Sequence, residues 1–187
     1  MSEPLFDPER LLEVLVKHRV RFVIIGGTAA RLWGSPVLTR DLDICYARES
    51  ANLEALAAAL REIGVALRGV KEAVPFQMDA QTLRNGDSFT FTSPLGDIDV
   101  LATPTGTRGF DELAGDAREM ALGQLRVNVV SVDDLIRMKR AAGRTKDRLL
   151  IEELGALREE LAKRERRRTA TPRADKGASR SRRGSRG

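Results

Sequence analysis

Hydrophobic positions along this chain alternate between a helical and an extended period, and glycines or prolines mark most of the changes. Leu11, Leu12, Leu15 and Val16 share one face of a 3.6-residue repeat, which predicts an amphipathic helix over residues 8–18. Asp7 suits its N-cap and Pro8 its first position. Val20 to Ile25 is apolar except for Arg21 and predicts a buried strand. Gly26-Gly27 then reads as a turn, Thr28 to Trp33 as a short helix, and Gly34-Ser35-Pro36 as its end. Asp41 to Tyr46 alternates with period two, so Asp41, Asp43 and Cys45 share one strand face and Leu42, Ile44 and Tyr46 the other.

Leu53, Leu56, Leu60 and Ile63 predict a helix over residues 50–63, stopped by Gly64. Between Val65 and Arg84 the pattern supports only a short strand near Val65–Leu67 and a loop through Pro75. Asn85-Gly86 signals a turn before a strand at Ser88–Thr92. Ser93-Pro94-Leu95-Gly96 turns the chain into Asp97–Leu101, an antiparallel partner with Asp97 and Asp99 on one face. Phe110–Ala117 reads as a helix, and Met120–Leu122 with Leu125–Val130 as a hairpin around Gly123-Gln124. Ser131 and Asp134 have the spacing of a capping box for a helix ending at Ala142-Gly143. Thr145 is placed to cap a last helix whose buried stripe is Leu150, Leu154, Leu157 and Leu161. The expected organisation is a domain at residues 1–168, its C-terminal helices at 131–168, and a disordered basic tail at 169–187. Strand and helix alternate as in an α/β (α+β) fold, a sheet covered by helices.

Charge is unevenly placed. Eleven Lys/Arg against Glu165 and Asp175 give residues 163–187 a charge of +9, so the +5 of the whole chain leaves −4 for residues 1–162. The body is mildly acidic, and a general nucleic-acid-binding face does not follow from the basic pI. The tail reads either as a solubilising extension or as a segment that attracts RNA or DNA phosphates without sequence preference. No apolar run approaches the roughly 20 residues of a membrane span, and Met1-Ser2-Glu3-Pro4 is unlike a signal peptide. Cys45 stands alone, which excludes an internal disulfide and suits a reducing cytoplasm. The lone histidine, His18, reads as a solvated base at a helix end; a His-rich metal site and a histidine-dependent serine triad are excluded. Trp33 reads as core, and Cys45 as buried.

The candidate chemistry lies in the two aspartates and the glycines before them. Asp41 and Asp43 point the same way and would repel each other unless a cation such as Mg²⁺ sits between them, with phosphate oxygens completing its shell. A third carboxylate on a neighbouring strand would allow a second ion, and Asp99, beside Asp97, is that candidate. Gly26 and Gly27 let backbone approach a phosphate, and Thr28 offers a hydroxyl.

In order and spacing, Val23-Ile24-Ile25-Gly26-Gly27, Asp41-Leu42-Asp43 and Ile98-Asp99-Val100 resemble the polymerase-β-like nucleotidyltransferase superfamily. Thr39-Arg40-Asp41-Leu42-Asp43, Asp134-Leu135-Ile136-Arg137-Met138-Lys139 and Ala142-Gly143-Arg144-Thr145-Lys146-Asp147 are similar to motifs of AbiEii-type and related small bacterial proteins of that superfamily. The resemblance spans roughly residues 8–160. It implies a mixed sheet flanked by helices, with Asp41, Asp43 and Asp99 as catalytic residues and ligands of two Mg²⁺ ions. A nucleoside triphosphate, ATP among the candidates, would lie against Gly26, Gly27, Thr28 and Arg40. Lys139, Arg144 and Lys146 match basic positions that would bind triphosphate or acceptor; equally, they fit a helix-end cluster paired with Asp147. The superfamily's frequent Gly-Ser is Gly-Gly here, so its second-position hydroxyl is missing.

Three readings of function follow. The first is a Mg²⁺-dependent nucleotidyltransferase acting on a hydroxyl of an RNA such as tRNA, a protein or a small molecule, plausible as a toxin with a cognate antitoxin or in phage defence. The second is a non-catalytic module binding nucleotide or a partner, and the third an antibiotic-adenylating type of enzyme.

Overall fold

The computed structural model describes residues 6–70 and 76–170. Helix α1 (Pro8–Lys17) is capped by Asp7, whose carboxylate accepts from the Arg10 amide, and buries Leu11, Leu12 and Leu15. The chain then forms β1 (Phe22–Ile25), all four residues buried. No turn separates β1 from α2 (Gly26–Leu32). The expected Gly-Gly turn is instead the first two residues of the helix, because Gly26 at φ +64° redirects the backbone in a single step. Strand β2 (Asp41–Tyr46) and helix α3 (Ser50–Ile63) follow, and Gly64 closes α3 in the left-handed conformation.

Strand β3 (Ala66–Leu67) precedes α4 (Ala80–Asn85), a helix the sequence pattern did not predict. Asp79 caps it by accepting from the Thr82 amide at 2.7 Å, and the turn expected at Asn85-Gly86 is the end of this helix. The expected loop through Pro75 includes residues 71–75, which lie outside the described residues. Strands β4 (Ser88–Thr92) and β5 (Asp97–Leu101) form the predicted antiparallel pair. Helix α5 (Phe110–Asp116), the hairpin of β6 (Arg118–Leu122) and β7 (Leu125–Val129), and α6 (Val132–Ala142) complete the body. Ser131 caps α6, and Gly143 ends it. Thr145 does not cap the last helix: Thr145–Asp147 forms a 3₁₀ turn, and α7 (Arg148–Ala170) follows. Of the stripe expected on α7 only Leu154 is fully buried. The helix runs two residues past the expected domain limit at 168, and residues 171–187 of the expected tail lie outside the described residues.

Among the described residues the strands form one mixed sheet in the order β3-β4-β5-β2-β1-β7-β6. β1 pairs antiparallel with β2 and parallel with β7, and β2 pairs parallel with β5. Helices flank this sheet, as expected. Leu42, Ile44 and Tyr46 enter the core on one face of β2. Buried Asn52 ties the ends of β1 and β2 together, accepting from the Arg21 amide at 2.6 Å and donating to the carbonyls of Arg21 and Ala47. His18, at the C-terminal end of α1 as expected, also meets Glu62 of α3 at 2.8 Å, beside a 2.6 Å Lys17–Glu62 pair. Trp33 donates from its indole nitrogen to the Val130 carbonyl at 2.7 Å, which anchors α2 to the end of β7. No described helix is long and apolar enough to cross a membrane.

Candidate active site

Strand register assembles the acidic residues. The parallel β2–β5 pairing sets Asp43 opposite Asp99 and Asp41 opposite Asp97. The antiparallel β1–β2 pairing sets Ile25 opposite Asp43, so the start of α2 lies over that carboxylate. One oxygen each from Asp41, Asp43 and Asp99 falls within 4.8 Å of the others. The glycines make this approach possible. A Cβ on Gly26 would overlap the Asp43 carboxylate, and one on Gly27 would lie 2.6 Å from Thr39 Oγ1. Thr39 donates its hydroxyl to Asp41 Oδ1 at 2.7 Å, which orients that side chain.

The cluster carries more negative charge than its surroundings balance. Burial, then the charges of Asp41 and Asp99, push the Asp43 carboxyl up to about 7, with Lys139 and the Gly27 N–H pulling the other way. Burial also raises Asp99, against the lowering influence of Arg68. Arg68 belongs to this cluster, and sequence reasoning missed it. Its guanidinium reaches both Asp99 oxygens at 2.7 and 2.9 Å and Asp97 Oδ2 at 2.9 Å. Nothing in the local pattern around Arg68 signals this role, since its partners are 29 and 31 residues away. Three converging carboxylates, two of them held back from ionising, are a hard-oxygen donor set that fits Mg²⁺ or Mn²⁺.

The aspartates open into a cavity of about 560 Å³, inside the roughly 300–1,000 Å³ range of small-molecule sites. Gly26, Gly27, Arg40, Lys139 and Arg144 all line it. Leu38 lines it too, and is 90% exposed. Thr28 does not line it: the side chain is buried and donates to the Asp41 carbonyl at 3.1 Å, so the hydroxyl steadies β2. Lys139 pairs with Asp147 at 3.1 Å, and Asp147 is 4% exposed, its Oδ2 buried without a partner among the described residues. The Lys146 side chain lies outside the described residues. Tyr46 faces away from the aspartates and donates to the Leu83 carbonyl, and burial pushes its phenol up to about 12. Cys45 is buried against the Ala102 carbonyl, as expected.

No protein-family model and no curated protein matches the chain by sequence. Solved structures do match it. The lincosamide antibiotic adenylyltransferase LnuA, solved with lincomycin bound, superposes with a TM-score of 0.55 at 15% identity, over 83% of this chain and 99% of that one. The Thermotoga maritima protein TM1012, to which nucleotidyltransferase activity is ascribed, gives 0.51 at 15% identity, over 84% of this chain and 96% of its own. The chain carries the nucleotidyltransferase fold.

Proposed function

We propose that the protein is a Mg²⁺-dependent nucleotidyltransferase that moves a nucleoside monophosphate from a nucleoside triphosphate to a hydroxyl acceptor and releases pyrophosphate. The observation that carries this reading is the register that converges Asp41, Asp43 and Asp99 at the start of α2, inside a ligand-sized cavity. Asp41 and Asp43 would hold the cations, with Asp99 as the third ligand. Bound Mg²⁺ supplies positive charge against the triphosphate and lowers the pKa of an acceptor hydroxyl. Gly26 and Gly27 present backbone without Cβ atoms to the phosphates. Lys139, Arg40 and Arg144 supply fixed positive charge along the cavity for the triphosphate or the acceptor. Asp99, on the adjacent strand, would help to activate the acceptor hydroxyl. Because residues 1–162 are net acidic, the phosphates are held by local cations and backbone rather than by the field of the whole domain.

In this reading the acceptor is an RNA, drawn in by the basic C-terminal segment, and the setting is a toxin–antitoxin or phage-defence pair. The Thr39–Asp43 and Asp134–Asp147 motifs support that setting. The test is incubation with each labelled nucleoside triphosphate, Mg²⁺ and total tRNA, with a lincosamide as a second acceptor arm. Label is expected on tRNA. Transfer undiminished in Asp41→Asn/Asp43→Asn would sink the assignment of these aspartates as the catalytic pair, and label on the lincosamide alone would replace the RNA acceptor.

A further inference from the structure

Arg68, Thr90, Asp99, Asp43 and Ile25 form one row across the sheet. Ile25 is opposite Asp43, Asp43 opposite Asp99, and Asp99 opposite Thr90. Arg68 continues the row, its amide donating to the Thr90 carbonyl at 3.0 Å. Residues in one row share a sheet face. With a residue as small as threonine between them, the long Arg68 side chain crosses β4 and reaches β5. There Nη2 meets both oxygens of Asp99, while Nη1 meets Asp97 Oδ2. The fork therefore spans both carboxylates of the Asp97-x-Asp99 pair.

We infer that Arg68 is the positioning residue of the third carboxylate, orienting Asp99 toward Asp41 and Asp43 and competing by its own charge with a cation for it. This rests on the reading of Asp41, Asp43 and Asp99 as a metal-holding triad. A carboxylate has about four lone-pair sites, so an arginine bound to both oxygens leaves others for a cation. The planar guanidinium restricts rotation of Asp99 in a way that an ammonium does not. The same guanidinium places a full positive charge beside the third ligand, and like charges at that distance lower cation affinity. Arg68 thus trades cation affinity for the geometry of Asp99.

Calorimetric titration with Mn²⁺, without nucleotide, separates these effects. Arg68→Gln removes the charge and is expected to bind Mn²⁺ about tenfold more tightly than wild type. Arg68→Lys keeps the charge but loses the fork, so its Mn²⁺ affinity should stay within about twofold of wild type while the turnover of nucleotidyl transfer falls. Equal or weaker Mn²⁺ binding by Arg68→Gln overturns the inference, and so does a gain in Arg68→Lys as large as that in Arg68→Gln. Asp41→Asn distinguishes the underlying reading: undiminished Mn²⁺ binding there means that the triad is not the cation site. Loss of binding in Asp41→Asn with no gain in Arg68→Gln means that the Arg68 assignment alone is wrong. Should Arg68→Gln fail to fold in metal-free buffer, recovery on adding Mn²⁺ supports the inference, and failure to recover overturns it.

Discussion

Gly26 and Asp43 occupy adjoining space so closely that a Cβ on the glycine would overlap the aspartate's carboxylate. They belong to different elements, the first residue of α2 and the third of β2, brought together by the Ile25–Asp43 register. The glycine is needed first to admit the aspartate. Gly26→Ala would also place a side chain at φ +64°. It is expected to destabilise the protein by about 2–3 kcal/mol and to displace Asp43. Chemical denaturation and Mn²⁺ titration of the variant measure the two effects separately.

Asp43 should make metal-free stability fall as pH rises. Its carboxyl goes from about 3.8 unfolded to about 7 folded. Below pH 3.8 both states hold the proton and the full stability is present. Between the two values the unfolded state releases the proton and the folded state keeps it, so stability drops until pH passes about 7. The change is on the order of 4 kcal/mol. Melting temperature against pH with a chelator should show this decline, and saturating Mg²⁺ should flatten it; a stability that rises from pH 4 to 7 with Asp43→Asn behaving identically would contradict the assignment.

Asp41→Asn/Asp43→Asn is expected to abolish cation binding and reduce transfer by about 10³-fold or more. Removing two crowded like charges should leave melting temperature in metal-free buffer unchanged or higher. Activity and stability moving in opposite directions is the signature of a site rather than of a scaffold. A melting temperature that falls with activity would mean that the pair is structural.

Lys139→Ala would leave Asp147 buried with neither oxygen paired among the described residues. A loss of about 3 kcal/mol is expected, with much of it recovered in Lys139→Ala/Asp147→Asn, where no uncompensated charge stays buried. A double-mutant cycle by denaturant unfolding reads the coupling directly. Lys139→Ala should also raise the Asp43 pKa further, because Lys139 is the charge that lowers it.

Most elements were legible because they depend on neighbours in sequence. The Leu53–Ile63 stripe with Gly64 specifies α3 and its left-handed end, and Ser131 with Asp134 specifies the start of α6. The alternation of Asp41 to Tyr46 correctly assigned which side chains face the core. Helix α4 was missed because its interior, Gln81-Thr82-Leu83-Arg84, carries a single apolar residue, and the stabilising Asp79 cap reads equally as a loop. Thr28 was expected at the phosphate because a hydroxyl follows the glycines; the Asp41 carbonyl, 13 residues away, claims it instead.

The sequence by itself determined the local ingredients: a glycine pair after an apolar strand, two aspartates on one strand face, and a third on another strand. Only the tertiary structure decided which carboxylates meet and what surrounds them. Asp99 joins the triad because β5 lies parallel to β2 in the register that opposes it to Asp43, and Arg68 holds both Asp97 and Asp99. Arg68 enters the site through contacts with residues 29 and 31 positions away, without a repeating pattern to announce it, whereas the Lys139–Asp147 pair is the one the helix-end cluster suggested. Periodicity records which face of an element is buried, but the pairing of elements is selected by the fit of the whole core. The charges that tune this site are set by that pairing.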